Sequence, residues 1–334
     1  MTDLRLIAWR GYDDREAAAP FLERCGLSLS VTYVDSDEQA VEALQRGALG
    51  SVDAVALDER YVPQMLEAGL VAPIDYTRLP STASYLDPFA RLARKAPGGG
   101  RWSAPFIWGT HPMAYNAAYV TRSPSSWLDV LEPEYEGRVA MLDGPIHQII
   151  IWGRVLGYRD PTRISHAQLE AAIDLAVKVK RRTRARLVSW DELPGVLARG
   201  NVWIATAGWE AVGRFASVLG ADVRLAQPRE GSYPWLDSWC IPRSPPNEAA
   251  AYGWIDWMIG PQAQAVVARN LPCGAVNRQA LPLLEPEARD PFPYADVGEM
   301  FAWPRYVGIP PRAAEDDVAT LADWNKAWEV VRAA

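Results

Sequence analysis

Roughly the first third of this 334-residue chain alternates strand signals with helix signals. The segment "LSLSVTYV" (27–34) has the period-2 alternation that is typical of a strand. The next segment, "SDEQAVEALQRG" (36–47), has Ser36 as a helix N-cap, acidic residues in the first turn and a closing glycine. A short apolar segment, "VDAVALD" (52–58), then predicts a buried strand. This strand–helix–strand order predicts βαβ units and a mostly parallel sheet, which excludes most other fold classes.

A second series of strand and helix signals occupies residues 112–228. It includes the predicted strands "GRVAML" (137–142) and "VWIATAG" (202–208), and a long helix over 165–183. Two such series in one chain of this length predict two domains or lobes, each long enough to bury its own core. The basic run at 178–186 is interpreted as a solvated helix end.

Net charge and hydropathy exclude several partners. A net charge of −7 argues against nucleic acid and anionic membranes. No apolar run approaches the ~20 residues of a membrane span. The segment "MTDLRLIAWRG" shows no signal peptide, so the chain is expected either to be cytoplasmic or to begin at a mature-like position. Fifteen tryptophans suit a binding cleft as well as a core.

Cysteine and histidine spacings do not indicate a metal or cofactor site. The three cysteines, Cys25, Cys240 and Cys273, form no CxxC pair, and their spacing leaves a Cys240–Cys273 bridge open. Three histidines without an HExxH motif or a Cys/His cluster argue against zinc. We therefore expect neither a metal nor a cofactor.

The segment "GSYPWLDSWC" (231–240) places a carboxylate among indoles. If it is a strand, Trp235, Asp237 and Trp239 point to one face. A buried carboxylate there costs free energy unless a cation or a hydrogen-bond donor meets it. The pattern therefore predicts a partner for Asp237, in the protein or in a ligand.

Five segments in order resemble one known family along essentially the whole chain. They are "IAWRGYDD", "DSDEQAVEALQRGALGSVDAVALDERYVPQMLEAGLVAPID", "APFIWGTHPMAYN", "SWLDVLEPEYEGRVAMLD" and "PREGSYPWLDSWCIPRSPPNEAAAYGWIDWMIGPQAQAVV". The last is the most specific, with its "EG" turn and W-x-D pair. The family is that of the substrate-binding proteins of ABC importers for polyamines and related amines, the spermidine/putrescine-binding-like group.

The resemblance implies a fold and a set of partners. The implied fold is α/β, the two-lobed type II fold of periplasmic binding proteins, with a mixed central sheet in each lobe and a ligand cleft between lobes. Lobe one would comprise 1–109 plus 235–280, and lobe two 110–234 plus 281–334. The function implied is capture, by lobe closure, of a small ligand with an ammonium group for an ABC permease in the membrane. The resemblance also implies a periplasmic location, and we expect a monomer that binds no nucleic acid.

The resemblance carries ligand contacts over to four residues. Trp235 and Asp237 match the family's indole and carboxylate for an ammonium group, a pairing that cation–π attraction and charge-assisted hydrogen bonding favour. Trp9 matches the first tryptophan of the cleft, and Tyr12 lies just beyond it. The structural alternatives are a core position for Trp9, and for Asp237 a pairing with an arginine or a backbone amide.

Other positions depart from the family pattern. Asp58 and Arg60 lie in a loop where the family has small polar and aromatic residues, and His147 stands where a glutamate is expected, near Asp143. With Arg10, these residues make the site less acidic than a polyamine site. The departures favour a zwitterion, such as an ω-amino acid, with Asp237 on the amine and an arginine on the carboxylate. The alternatives are that Arg10 points away and that His147 faces solvent.

Three further tryptophans have less defined roles. Thr206 takes the place of a family tryptophan, and Trp209, three residues later, is the candidate substitute in the site. For Trp108 a core or hinge role is as plausible as ligand contact, and Trp239 is expected to be core.

Two other functional classes compete with transport. The first is an enzyme of the same fold acting on a small amine or heterocycle, with Cys240 as nucleophile. Strand alternation argues against it, because Cys240 points to the opposite face from Asp237, towards the core. The second is a cytoplasmic sensor or scaffold, which only the absence of a visible signal peptide favours.

Overall fold

The computed structural model of the protein describes residues 2–92, 101–187 and 189–334. The chain forms two compact units. Unit 1 comprises Met1–Gly109 and Trp235–Glu299, and unit 2 comprises Thr110–Pro234 and Met300–Ala334. Residues 281–299, which the sequence-based division gives to lobe two, pack with unit 1.

Strands and helices alternate through both units. The strands are β1 (Thr2–Ala8), β2 (Leu27–Tyr33), β3 (Ala54–Asp58), β4 (Ala104–Thr110), β5 (Met113–Asn116), β6 (Val139–Leu142), β7 (Thr183–Leu187), β8 (Ile204–Ala205), β9 (Val223–Ala226), β10 (Pro234–Cys240) and β11 (Gly274–Ala275). The helices are α1 (Arg15–Cys25), α2 (Asp37–Ala43), α3 (Val62–Glu67), α4 (Asp87–Leu92), α5 (Pro145–Val155), α6 (His166–Lys180), α7 (Glu192–Ala198), α8 (Val212–Val218), α9 (Glu248–Met258), α10 (Pro261–Asn270), α11 (Pro286–Arg289), α12 (Val297–Met300) and α13 (Leu321–Ala333).

The sheet of unit 1 is mixed, with strand order β11-β4-β10-β3-β1-β2. Strands β2, β1 and β3 run parallel, as the βαβ pattern predicts, whereas β10 pairs antiparallel with β3. The residues that follow the three parallel strands therefore meet at one edge of the sheet, where open α/β sheets bind ligands. This edge carries Trp9 and Tyr12 after β1, Asp37 after β2, and Asp58 at the end of β3.

Helix caps fix where the helices beside this edge begin and end. The side chain of Asp14 accepts the backbone N–H of Ala17 and caps α1, and Gly26 ends that helix at φ 62°. Ser36 caps α2 by accepting the backbone N–H of Gln39, which confirms the predicted N-cap. This cap places Asp37 in the first turn of α2, beside the ends of the strands.

Unit 2 has its own mixed sheet, with strand order β7-β6-β8-β5-β9. Strand β6 runs parallel to β7 and β8, whereas β5 pairs antiparallel with β8 and β9. Helices α5, α6 and α13 cover one face of this sheet and bury Trp152, Trp324 and Trp328. Much of the tryptophan content is thus core, because an indole buries a large apolar area.

The structure differs from the predicted elements at several places. The sequence pattern favours a loop over residues 95–109, but residues 104–110 form the buried strand β4, and residues 95–100 lie outside the described residues. The segment "SWLDVL" (126–131) has the pattern of a helix, and the structure has a 3-10 helix there at Trp127–Leu131. All three cysteines are free, so no Cys240–Cys273 bridge forms. Within the described ranges, no helix has both the length and the apolarity to cross a membrane.

Candidate functional site

Three carboxylates converge at the carboxyl edge of the unit 1 sheet. Asp237 on β10 and Asp58 on β3 are direct cross-strand partners, so their side chains leave the same face of the sheet. Asp37 joins them from α2, because its Oδ1 accepts the backbone N–H of Asp58 at 3.0 Å. Like charges directly opposite each other are destabilising. We call Asp37, Asp58 and Asp237 the carboxylate cluster.

Two aromatic side chains from the segment after β1 contact this cluster. The hydroxyl of Tyr12 donates a hydrogen bond to Oδ2 of Asp237. The indole N–H of Trp9 donates to Oδ1 of Asp37 at 3.4 Å. Asp237 therefore has a phenol as hydrogen-bond partner, whereas the sequence leaves open an arginine or a backbone amide. A phenol supplies a hydrogen bond without a positive charge.

Burial and mutual repulsion raise the pKa of two of these carboxyls. Burial raises the pKa of Asp237 well above its usual value, and the nearby Asp37 and Asp58 raise it further. The pKa of Asp37 rises to about 7, chiefly because of burial and then because of Asp58. Near neutral pH the cluster therefore resists carrying its full negative charge, and a cation placed there would relieve that cost.

Arg60 already interacts with one member of the cluster. Its Nε lies 2.8 Å from Oδ1 of Asp58, and its Nη2 lies 2.7 Å from Oδ2, a bidentate ion pair. The side chain of Arg60 is 8% exposed, so this pair is well shielded from water. A ligand carboxylate at Arg60 would have to compete with Asp58. Arg10 is exposed, and its guanidinium lies 4.8 Å from the centre of the Tyr33 ring.

The two tryptophans of β10 differ in their surroundings. Trp235 is buried at the start of the strand and alternates onto the same face as Asp237. Trp239 is fully buried, with its ring centre 5.5 Å from Phe106 and 5.9 Å from Trp254. The expectation that Trp239 is core is confirmed.

Unit 2 contains a separate cluster of histidine and aromatic side chains. His147, in the first turn of α5, is buried, so it does not face solvent. Its Nε2 lies 3.1 Å from the backbone oxygen of Thr206, which can only accept, so Nε2 carries the proton and Nδ1 accepts from the Tyr233 hydroxyl. The ring of His111 lies edge-on to His147 at 5.0 Å and stacks on Trp190 at 4.7 Å.

Trp209 belongs to the same cluster, whereas Asp143 has partners of another kind. The Trp209 ring lies edge-on to Trp190, 6.0 Å between centres. Asp143 accepts the Trp328 indole N–H at 2.7 Å and forms ion pairs with Arg186 at 3.1 Å and Arg332 at 3.0 Å. Two arginines thus balance the charge of Asp143, which ties α13 to the end of β6.

Asp37 is a member of the carboxylate cluster that the sequence pattern does not single out. In the sequence it is an acidic group of a first helical turn, although a helix that follows a parallel strand starts at the ligand-binding edge of the sheet. The sequence pattern does not single out Trp190, His111 and Tyr233 either, because they lie in three segments that only the folded chain brings together. Across the described ranges, no group of three His, Cys, Asp or Glu side chains is arranged to hold a metal ion.

Comparison with known proteins identifies the class. The model of the family "Bacterial extracellular solute-binding protein" matches residues 16–291. The chain is 26% identical to the spermidine/putrescine-binding periplasmic protein of Escherichia coli over 304 residues, 90% of this chain and 86% of that protein. It is 26% identical to the putrescine/agmatine-binding protein of Pseudomonas aeruginosa over 307 residues, 86% of this chain and 82% of that protein.

Solved structures show the same fold. The spermidine/putrescine ABC transporter substrate-binding protein of Streptococcus pneumoniae superposes with a TM-score of 0.79 at 23% identity, over 100% of this chain and 98% of that one. The predicted two-lobed type II binding-protein fold is therefore confirmed. The chain belongs to the bacterial extracellular solute-binding protein family. Its function is substrate binding in transport, and its predicted location outside the cytoplasm, periplasmic in these relatives, is confirmed.

Proposed function

We propose that this protein captures a small amine in its ammonium form and delivers it to an ABC permease. The observation that carries this proposal is the carboxylate cluster. Asp58 hydrogen-bonds to Asp37 and is the cross-strand partner of Asp237, and one arginine, Arg60, forms a bidentate pair with Asp58. A ligand ammonium group would supply further positive charge, and the buried setting strengthens its attraction to Asp237.

Aromatic side chains support an organic cation in this role. Trp9 and Tyr12 hydrogen-bond the cluster, and Trp235 shares a face with Asp237. Indole and phenol rings attract ammonium groups by roughly 0.5–2 kcal/mol, depending on desolvation. The relatives named above bind spermidine, putrescine or agmatine, which are all amines. We therefore propose as ligand contacts the four residues that the resemblance implies, Trp9, Tyr12, Trp235 and Asp237, and we add Asp37.

Between the two ligand classes that the sequence favours, the contacts support a plain amine over a zwitterion. A zwitterion needs a cation for its carboxylate, and Arg60 is held by Asp58 at two points. Arg10 is exposed over Tyr33. We therefore assign Asp58 and Arg60 to shaping the cluster, with Asp237 and Asp37 meeting the ligand.

In unit 2, His147 and Trp209 stay the proposed ligand contacts. Both belong to the histidine and aromatic cluster, which suits the apolar body of a ligand better than a second ammonium group. Asp143 is less suited to ligand contact, because Arg186 and Arg332 already balance its charge.

The properties of Cys240 support binding over catalysis. Its side chain is fully buried, and burial followed by the nearby Glu59 raises the pKa of the thiol well above its usual value. A nucleophilic cysteine needs the opposite, an accessible thiolate. Because one chain supplies the whole carboxylate cluster, the proposed function needs only a monomer.

Calorimetry with matched variants tests the proposed function. A thermal-shift screen of putrescine, cadaverine, spermidine, γ-aminobutyrate and betaine first ranks the ligands. We expect the amines without a carboxylate to bind, Asp237→Ala to abolish most binding and Trp235→Ala to weaken it strongly. Asp35→Ala, an exposed carboxylate in the same unit, is the control and should bind as the parent does. Unchanged affinity in Asp237→Ala would refute the site, and preference for γ-aminobutyrate would refute the ligand class.

A further inference from the structure

Asp37 and Asp237 are both direct neighbours of Asp58. The backbone N–H of Asp58 donates to Asp37, and Asp58 is the direct cross-strand partner of Asp237. Two rigid elements thus position the pair, the first turn of α2 and the strand β10. Asp37 cannot turn away from Asp58 without losing its hydrogen bond to the Asp58 backbone, and Asp237 cannot turn away without losing its hydrogen bond from the Tyr12 hydroxyl.

The charged and titratable groups around the pair supply little positive charge. They come from the segment after β1, from α2, from β3 with the turn that follows it, and from the residue before β11: Tyr12, Glu38, Asp58, Arg60, Tyr61 and Cys273. Arg60 is the one cation of that set, and it pairs with Asp58. Glu38 accepts from the Tyr61 hydroxyl. Among the ion pairs of the described residues, none includes Asp37 or Asp237.

We propose that Asp37 and Asp237 share one proton in the protein without a bound cation. A ligand ammonium group displaces this proton when it binds. This proposal rests on the proposed function and deepens it. One proton keeps two neighbouring, shielded carboxyls from being negatively charged together. The ammonium group replaces the proton as the positive partner, and the released proton goes to the buffer. Asp37 is then a specificity-determining residue, because its second charge favours cations over neutral ligands.

The pKa of each partner agrees with a shared proton. Each is raised by burial first and by neighbouring carboxylates next, with Asp37 reaching about 7. Protons and ligand therefore compete, and amine affinity should rise between pH 5.5 and 8, by up to about tenfold for each pH unit. The ligand itself stays protonated throughout this range, because alkyl amines lose their proton only near pH 10.

Two measurements test the shared proton. The first is a carbon-13 NMR titration of aspartate carboxyl groups in the protein alone. We expect two coupled steps for Asp37 and Asp237, with the upper step above pH 6, and a single simpler step for Asp237 in Asp37→Asn. Titration of both residues below pH 5 would overturn the proposal, whatever the protein binds.

The second measurement is calorimetry with putrescine at pH 7 in phosphate and in Tris buffer, whose different ionisation enthalpies report proton exchange. We expect release of about one-half to one proton for each putrescine bound. Asp37→Asn should still bind putrescine but release less than half as many protons, and Asp35→Asn should match the parent. Binding with no proton exchange would overturn the coupling. No putrescine binding, together with a coupled NMR titration, would instead refute the diamine as ligand and with it the displacement step.

Discussion

Replacing Asp37 by asparagine should stabilise the protein at alkaline pH, although it removes a charge that we propose for ligand binding. The amide keeps the acceptor oxygen that meets the backbone N–H of Asp58 and the Trp9 indole, so the change removes a charge and little else. Burial, then Asp58, raises the pKa of Asp37 from 3.8 to about 7. A raised carboxyl pKa means that the folded protein binds protons more tightly than the unfolded chain.

The size and the sign of the effect follow from this difference. At about 1.36 kcal/mol for each pKa unit, an ionised Asp37 at pH 8 costs the folded protein roughly 4 kcal/mol. Asp37 is half-buried, so solvent screening reduces this to about 2 kcal/mol. The cost is absent below about pH 4, where both states are protonated, and grows as pH rises towards 7.

Differential scanning calorimetry at pH 4.5 and pH 8 measures the effect. We expect Asp37→Asn to raise the midpoint by about 3 °C at pH 8 and by only a small part of that at pH 4.5. Asp35→Asn, two residues upstream and exposed, should change neither midpoint. A variant no more stable than the parent at pH 8, or an equal gain at both pH values, would refute the assignment of charge repulsion to this cluster.

The remaining predictions concern packing, Asp143 and the cysteines. Gly274→Ala should lower the free energy of unfolding, measured by urea denaturation, by about 1–3 kcal/mol, because a Cβ there would overlap the Trp108 indole. Gly298→Ala, where a Cβ would meet open space, is the control. Equal effects of the two changes would contradict the packing at Gly274. Asp143→Asn should lower the thermal midpoint, because the carboxylate of Asp143 pairs with two arginines. The affinity for putrescine, measured by calorimetry, should not change. A large loss of affinity would instead indicate that Asp143 contacts the ligand. Iodoacetamide should modify exposed Cys25 in the native protein and leave buried Cys240 intact until unfolding, as peptide mass spectrometry would show; rapid modification of Cys240 would revive the enzyme alternative.

Local sequence signals were sufficient for most of the elements. The Ser36 cap and the strand β2 each depend on neighbours within a few residues, and each is seen in the structure. The sequence pattern does not predict the strand β4, because its residues are buried on both faces and show no alternation. Proline and glycine just before it favoured a loop.

The sequence by itself determined the fold class and singled out Asp237, since strand alternation and the W-x-D pattern are local properties of one segment. Only the tertiary structure decided what surrounds that carboxylate. Asp37, Asp58 and Tyr12 come from three separate segments, and parallel strands bring the ends of those segments to one edge of a sheet. Charge repulsion and raised pKa values depend on distances between residues far apart in the chain, which no local pattern encodes.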